Sequence, residues 1–361
     1  MLYPSGVLME INPYKLLALR LDFLPNGFPA TEDGVELKLL AKLFSPEEAA
    51  LASQLRPSLE TSDQIAKRIG GSSEELKQIL KGMARRGLIT CARVDKGIGF
   101  GIMPFVVGFY EMQVNHIDRE LASLFEAYYQ TAASKMFAVE PQFHRVVPVA
   151  ESIPNNLEIQ PFESVKNILN QAKAWGVVDC ICRKQKALIG KACQHPLDVC
   201  MVLSPVSGAF DNSKTVQRLT LAEAEATLHR AAEAGLVHSV SNNQKGIWYI
   251  CNCCTCSCGI LRGIAELGLA NVVARSAFVS RVDKEICIGC ETCLPFCQFG
   301  ALSCDLTAYV DEARCVGCGI CVYHCPENAI KLEIRPIAEI KPPPANEFAW
   351  REARARARGL L

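Results

Sequence analysis

The period of the apolar positions changes several times along this chain, and each change marks an element. In SPEEAALASQL, Ser45 predicts an N-cap, Pro46 the first helical position and Glu48 the return partner of a capping box. TSDQIAKRIGG repeats the device from Thr61 to Gln64, and SSEELKQILKGMARRGLI from Ser72 to Glu75, with Gly70 and Gly71 as the turn between two helices. Two strand-like runs follow, LITCARV and FGIMPFV, folded about Asp95, Lys96 and Gly97. Helical spacing returns in EMQVNHIDRELASLFEAYYQ, where Val114, Ile117, Leu121, Leu124, Phe125 and Tyr128 share a face. A mixed stretch, VEPQFHRVVPVAESIPNNLEIQP, leads into a helix expected to end at Trp175. LTLAEAEATLHRAAEAGLVHSV predicts an alanine-rich helix capped by Thr220 with Glu223 and closed by Gly235. KPPP then gives a stiff linker to FAWREARARARGLL, whose Arg351, Arg354, Arg356 and Arg358 make a small basic tail expected to be solvated.

The helix pair and hairpin of residues 45–110 resemble a winged helix-turn-helix. That raises one function class, a redox-responsive DNA-binding regulator. A DNA reader needs cations near the N-terminus of its second helix, and this one carries Glu74 and Glu75 there, with only Arg93 and Lys96 in the wing and Lys77, Lys81, Arg85 and Arg86 further along. A protein-contact or structural role is therefore expected, with DNA as the alternative partner. Charge agrees, because Lys plus Arg and Asp plus Glu are both 38 and no basic excess recommends nucleic acid or an anionic membrane. The start of the chain lacks a charged n-region followed by an apolar h-region, and the uncharged run GIGFGIMPFVVGFY is short and broken by glycines and Pro104, so a cytoplasmic protein without a membrane span is expected. Gly97, Gly99 and Gly101 fall in the hairpin rather than between a strand and a helix, and G-x4-GK[ST], nucleophile-elbow and zinc-protease motifs are missing. Self-contained nucleotide, flavin or hydrolytic chemistry is thereby disfavoured.

Nineteen cysteines in a chain read as cytoplasmic point to metal rather than to a disulfide scaffold. CIGCETCLPFC (Cys287, Cys290, Cys293, Cys297) and CVGCGICVYHCP (Cys315, Cys318, Cys321, Cys325) both follow C-x2-C-x2-C-x3-C, the spacing in which three thiolates wrap one [4Fe-4S] cube and the fourth crosses to the other. The crossing rule assigns Cys287, Cys290, Cys293 and Cys325 to one cluster, and Cys315, Cys318, Cys321 and Cys297 to the second. Gly289, Gly317 and Gly319 are expected to let the backbone approach the sulfides. Paired zinc knuckles would use C-x2-C pairs without this doubled pattern. The segment 278–335 resembles the two-cluster bacterial ferredoxin domain, including the internal repeat in which GALSCDLTAYVD parallels NAIKLEI. Gln298 stands where that family has Pro, and is expected to perturb the turn and the local potential without abolishing ligation. From Asp283 to Glu333 acidic side chains outnumber basic ones, which favours oxidised clusters and a low potential.

Upstream lie CICRKQKALIGKACQHPLDVC, with Cys180, Cys182, Cys193 and Cys200, and CNCCTCSC, with Cys251, Cys253, Cys254, Cys256 and Cys258. These nine thiols suffice for one or two further iron–sulfur clusters; structural zinc and a thiol or disulfide redox site are the alternatives. Arg183, Lys184, Lys186 and Lys191 would favour an anionic cluster or an acidic partner. If CNCCTCSC is extended, Cys251 and Cys253 point one way and Cys254, Cys256 and Cys258 the other, so one strand can serve two sites. His195 reads more readily as a structural histidine before Pro196 than as a ligand, His116 and His144 carry no assigned chemistry, Cys304 lies outside the repeat, and Cys91 reads as a small buried residue.

CICR, the C-x-HP-x4-C segment, CNCC and the C-terminal repeat together resemble a family of large cytoplasmic [4Fe-4S] ferredoxin-like proteins of anaerobic prokaryotes, over residues 40–335. That family carries three adjacent cysteines where this chain has Cys256, Ser257 and Cys258. The expected architecture is a multidomain α+β chain: a leader (1–44), a winged-helix-like module (45–110), a helical connector (111–175), a Cys-rich domain (176–277), a two-cluster ferredoxin domain (278–335) and a Pro-rich linker with a basic helical tail (336–361). The expected work is one-electron transfer to or from a redox protein such as a flavin or metal oxidoreductase, as a carrier or oxidoreductase subunit, with a homo-oligomer compatible. An oxidoreductase with a catalytic cluster or thiol site at CNCCTCSC is a further alternative.

Overall fold

A computed structural model describes residues 12–154, 159–269 and 272–361; the start of the leader and residues 155–158 of the connector lie outside it. The chain divides into two compact units, residues 1–136 and 137–359. In the first, helices Pro13–Asp22, Val35–Leu43, Pro46–Ser53, Ser62–Ile69 and Ser73–Arg85 bury Leu17, Leu21, Leu39, Leu40, Ile65, Leu80 and Met83. Two of the three expected capping boxes, Ser45 with Glu48 and Thr61 with Gln64, are present; at Ser72 the hydroxyl accepts from Glu75 N at 3.5 Å without the return bond. The hairpin Ile89–Val94 with Gly97–Ile102 takes a third short strand, Glu60–Thr61, on the Gly97–Ile102 side. Glycine is needed at Gly99 because a Cβ there would stand 2.9 Å from both Leu59 and Val94.

Two expectations change in this unit. Cys91 is exposed rather than buried, because burial fades along its strand as the hairpin runs out past the helices. The amphipathic helix begins at Arg119 and runs to Phe137, while Glu111–Asn115 is a separate 3-10 turn, so Val114 and Ile117 precede the helix.

The second unit is built on a seven-stranded sheet in the order Val273–Ala274, His144–Val146, Val237–Ser241, Tyr249–Cys253, Cys200–Ser204, Ala174–Val178 and Gln217–Leu219. All its pairings are antiparallel except that of the edge strand Val273–Ala274 with its neighbour His144–Val146. Helices Val165–Gln171 and Leu221–Glu233 cover one face, burying Val165, Ile168, Leu169, Ala224 and Leu228 against Val147, Met201, Leu203, Val240 and Ile250. The second helix has its Thr220–Glu223 box and ends before Gly235 at φ +72°. Trp175 ends no helix: it lies in the strand Ala174–Val178, since the helix stops at Gln171 and the chain pairs with Cys200–Ser204.

The C-terminal repeat packs onto the same unit as two small antiparallel ladders, Phe278–Val282 with Ile330–Ile334 and Leu302–Cys304 with Ala308–Val310. The linker and tail are tied to this unit at a few points, while most of their residues stay exposed or half-buried. Carbonyls of Pro343 and Pro344 accept bonds from Gln244, and in the helix Glu347–Ala357 the fully buried Arg354 donates to Val139 O and Pro141 O at 2.6 and 2.7 Å. Its guanidinium lies 4.1 Å over Phe143, while Arg351 and Arg356 pair with Glu347 and Glu352. Arg354 is thus drawn into the unit, while Arg351 and Arg356 stay at the surface in ion pairs along their own helix. No helix among the described residues is long and apolar enough to cross a membrane.

Candidate metal centre

Cysteines gather at three places in the second unit. In the C-terminal repeat, the charged neighbours of Cys293 are Cys325, Cys290 and Cys287, and those of Cys318 are Cys321, Cys315 and Cys297. Each loop therefore has the distal cysteine of the other beside it. Backbone amides aim at three of these sulfurs: Ala308 N at Cys287 (3.3 Å), Ala301 N at Cys297 (3.2 Å) and Ala329 N at Cys325 (3.3 Å). The hydroxyls of Thr292 and Ser280 lie 3.4 and 3.2 Å from the sulfurs of Cys290 and Cys321. Such bonds stabilise sulfur that carries negative charge. Burial pushes the Cys293 thiol up to about 11 and Cys321 to about 12, so their thiolate forms need positive charge nearby, which the iron of a cluster supplies. Gly289 and Gly317 have φ of +66° and +71°, and a Cβ on either would collide with a carbonyl, Leu306 O at 2.5 Å or Phe278 O at 2.2 Å. These glycines thus tighten the loops against neighbouring backbone. Cys304, outside the repeat pattern, stands near Cys287 and Cys290.

The second gathering lies at the ends of three sheet strands. Cys200 pairs with Val178, two residues before Cys180, and Cys251 and Cys253 pair with Ser239 and Val237. Cys180 N-caps the helix Ile181–Leu188, which brings Cys182 into its first turn. The thiols neighbour one another around a ring in the order Cys180, Cys182, Cys258, Cys253, Cys251, Cys200 and back to Cys180. Bonds from Cys182 and Cys200 hold Cys180 well below its ordinary value, with burial opposing and Arg183 assisting. For Arg183 burial acts downward, but Cys180, Cys254, Cys200 and Cys253 reverse it and raise the guanidinium above its usual range. The side chain is 4% exposed and donates to Pro196 O (2.8 Å) and Asn252 O (2.6 Å), tying the two cysteine segments together. Asn252 faces away from its flanking thiols, meeting His238 Nδ1 at 2.5 Å and donating to Val199 O at 2.5 Å.

The third gathering is Cys193, His195, Cys254 and Cys256, whose ligand atoms all lie within 4.8 Å of one another. Alternation predicts Cys258 with Cys254 and Cys256, yet it joins Cys253. The strand ends at Cys253 and the chain turns, with Cys258 N bonded to Cys254 O at 3.0 Å, so period two no longer applies. His195 belongs to this group and not to a purely structural turn; its C-x-H spacing was the available signal. Of the four cations after Cys182, Arg183 and Lys186 are buried and Lys184 pairs with Asp179 at 3.7 Å, which leaves little of the expected basic surface.

Gln298 joins the first gathering to the third. Its Oε1 accepts from Thr255 N (3.0 Å) and Thr255 Oγ1 (2.8 Å), and its Nε2 donates to Gly235 O (3.1 Å). Beside it Phe296 stacks on His324 at 3.5 Å, and His324 Nε2 lies 3.0 Å from Ala232 O. Proline could make none of the Gln298 bonds, so this departure serves docking onto the CNCCTCSC turn.

Residues 280–303 and 308–331 match the 4Fe-4S binding domain family, in two repeats. No curated protein and no solved structure matches the chain. The C-terminal repeat is therefore a 4Fe-4S binding domain of ferredoxin type, within a mixed helix-and-sheet protein. With its dense cysteines, it marks an iron–sulfur protein of electron transfer.

Proposed function

We propose that this protein carries single electrons to or from a partner oxidoreductase through two [4Fe-4S] clusters and a further iron–sulfur cluster in the middle sheet. Cys287, Cys290, Cys293 and Cys325 hold the first cluster, and Cys315, Cys318, Cys321 and Cys297 the second. Four of the six ringed thiols, Cys180, Cys182, Cys200, Cys251, Cys253 and Cys258, hold the third. Each bound cluster supplies reversible one-electron exchange. The observation that carries this reading is the interleaving of the two loops, in which Cys325 stands beside Cys293 of the first and Cys297 beside Cys318 and Cys321 of the second. Exposed Ile286, Ile288 and Leu306, with Cys290 exposed beside them, offer the partner a contact face at the first cluster. We assign residues 45–110 as a winged-helix-type module for protein contact, because Glu74 and Glu75 in the first turn of Ser73–Arg85 would repel phosphate.

Iron and sulfide counts on oxygen-free protein test the proposal. Cys325→Ala and Cys297→Ala should each remove one cluster, about four irons, while the EPR signal of the other survives. Unchanged iron in both variants would sink the ligand assignment. Cys253→Ala should remove iron without touching either ferredoxin signal.

A further inference from the structure

The Cys193–His195–Cys254–Cys256 group differs from the other two gatherings in donor type and in compactness. It sets three sulfurs and one imidazole nitrogen together, with every donor within 4.8 Å of every other. A tetrahedral zinc site with Zn–S of about 2.3 Å and Zn–N of about 2.0 Å has edges of roughly 3.5 to 3.8 Å. The distance from Cys256 Sγ to His195 Nδ1, 3.6 Å, is such an edge. A cube places four irons and four sulfides between its thiolates and holds them further apart than one ion does. We propose that Cys193, His195, Cys254 and Cys256 bind a single zinc-class divalent ion, separate from the iron–sulfur clusters of this chain.

The surroundings fit a structural ion. The four donors come from two short segments, Cys193-x-His195 and Cys254-x-Cys256, and three contacts fix how those segments meet. Ser257 Oγ donates to Cys193 Sγ at 3.3 Å, Arg183 bridges Pro196 O to Asn252 O, and Gln298 holds Thr255 between the two cysteine ligands. Hydrogen bonds around a ligating sulfur orient it and temper its charge. Cys254 is 1% exposed and Cys256 is exposed, so the site has a closed floor and an entry path from solvent. The ion would lock the turn that separates Cys253 from Cys258, both members of the six-thiol ring. Its work is to hold that ring in register, and it takes no part in electron transfer because zinc has no accessible second oxidation state.

This inference does not depend on the electron-carrier reading, and one preparation tests the two separately. Protein made without oxygen in medium containing both zinc and iron is assayed for each metal, and the zinc X-ray absorption edge of the unaltered protein is recorded. About one zinc per chain with a first shell of three sulfurs and one nitrogen is expected; a four-sulfur shell, or no zinc, overturns the proposal. His195→Ala and Cys256→Ser should then lower zinc at least tenfold while both ferredoxin EPR signals persist. Loss of about four irons from these variants with no zinc in the parent would make the group a cluster site and also overturn it. Iron content of the parent, read from the same sample, decides the electron-carrier reading by itself.

Discussion

Around Cys287, Cys290 and Cys293 the nearby charges are acidic: Glu327 acts on the exposed Cys290, and Glu291 and Asp305 on Cys304 next to it. Beside Cys315 lies a buried cation, Arg335, whose guanidinium also meets Glu339 at 3.5 Å near the surface. Arg335, 3% exposed, donates to Cys315 O at 2.7 Å and to Phe278 O at 3.0 Å. The two loops share a ligand spacing, so a difference in potential between them comes from their surroundings, these charged neighbours among them. Anionic surroundings favour the oxidised cluster and a buried cation favours the reduced one. Arg183, buried among Cys180, Cys254, Cys200 and Cys253, extends the series into the middle sheet. The expected order of potentials rises from the exposed first loop through the second loop to the six-thiol ring. Electrons entering at Ile286, Ile288 and Leu306 would then run inward.

The largest test of that comparison removes the innermost cation. Arg183→Met leaves buried thiolates uncompensated and frees the carbonyls of Pro196 and Asn252, at a cost of about 3–5 kcal/mol. The middle-sheet iron should be lost on purification while both ferredoxin EPR signals remain; full iron retention would remove Arg183 from the argument. Gln298→Pro, the residue usual in ferredoxins, deletes the bonds to Thr255 and Gly235 and should lower stability by about 1–3 kcal/mol. Iron should stay constant while reoxidation of the second cluster by the middle sheet slows in stopped-flow traces. Equal rates in parent and variant would show that the docking is mechanical only. Arg335→Met should lower the second cluster's potential alone, by on the order of 60 mV, the equivalent of about 1.4 kcal/mol. A redox titration followed by EPR reads it, and a shift of the first cluster instead would reverse the assignment of neighbours.

How much of this was legible beforehand varies with the range of the interactions. Spacing along one loop carried the C-terminal repeat, because Cys287 to Cys297 and Cys315 to Cys325 set their geometry within a dozen residues. Capping residues at Ser45, Thr61 and Thr220 marked helix starts for the same reason. The partition of the middle cysteines was not legible, since it rests on a turn after Cys253 and on three strands brought together from residues 174–253. Alternation put Cys258 on the wrong side because it assumed the strand continued. His195 and Gln298 stood out in sequence, one by its C-x-H spacing and one by replacing Pro, but their roles did not, because their partners, Cys256 and Thr255, lie 61 and 43 residues away. Arg354 misled for a related reason, as its basic character suggested solvent while Val139 and Pro141 supply carbonyls that no local pattern announces.

The smallest expected effect separates the middle sheet from the C-terminal repeat by pH. His144 is 4% exposed, and both its ring nitrogens are buried without a hydrogen-bond partner among the described residues. Burial lowers it from 6.5 to about 4. Above pH 6.5 it is neutral folded and unfolded and contributes nothing. Below that, the unfolded chain takes up a proton that the folded sheet refuses, so stability falls by about 1.4 kcal/mol per pH unit until about pH 4. Urea unfolding between pH 7 and 5.5 should show this slope in the parent and a shallower one in His144→Phe, whose ring keeps the contact with Tyr249 at 5.5 Å. If the two slopes coincide, His144 is protonated in place, and the acid sensitivity of the middle sheet comes from another group such as His238, which burial also lowers.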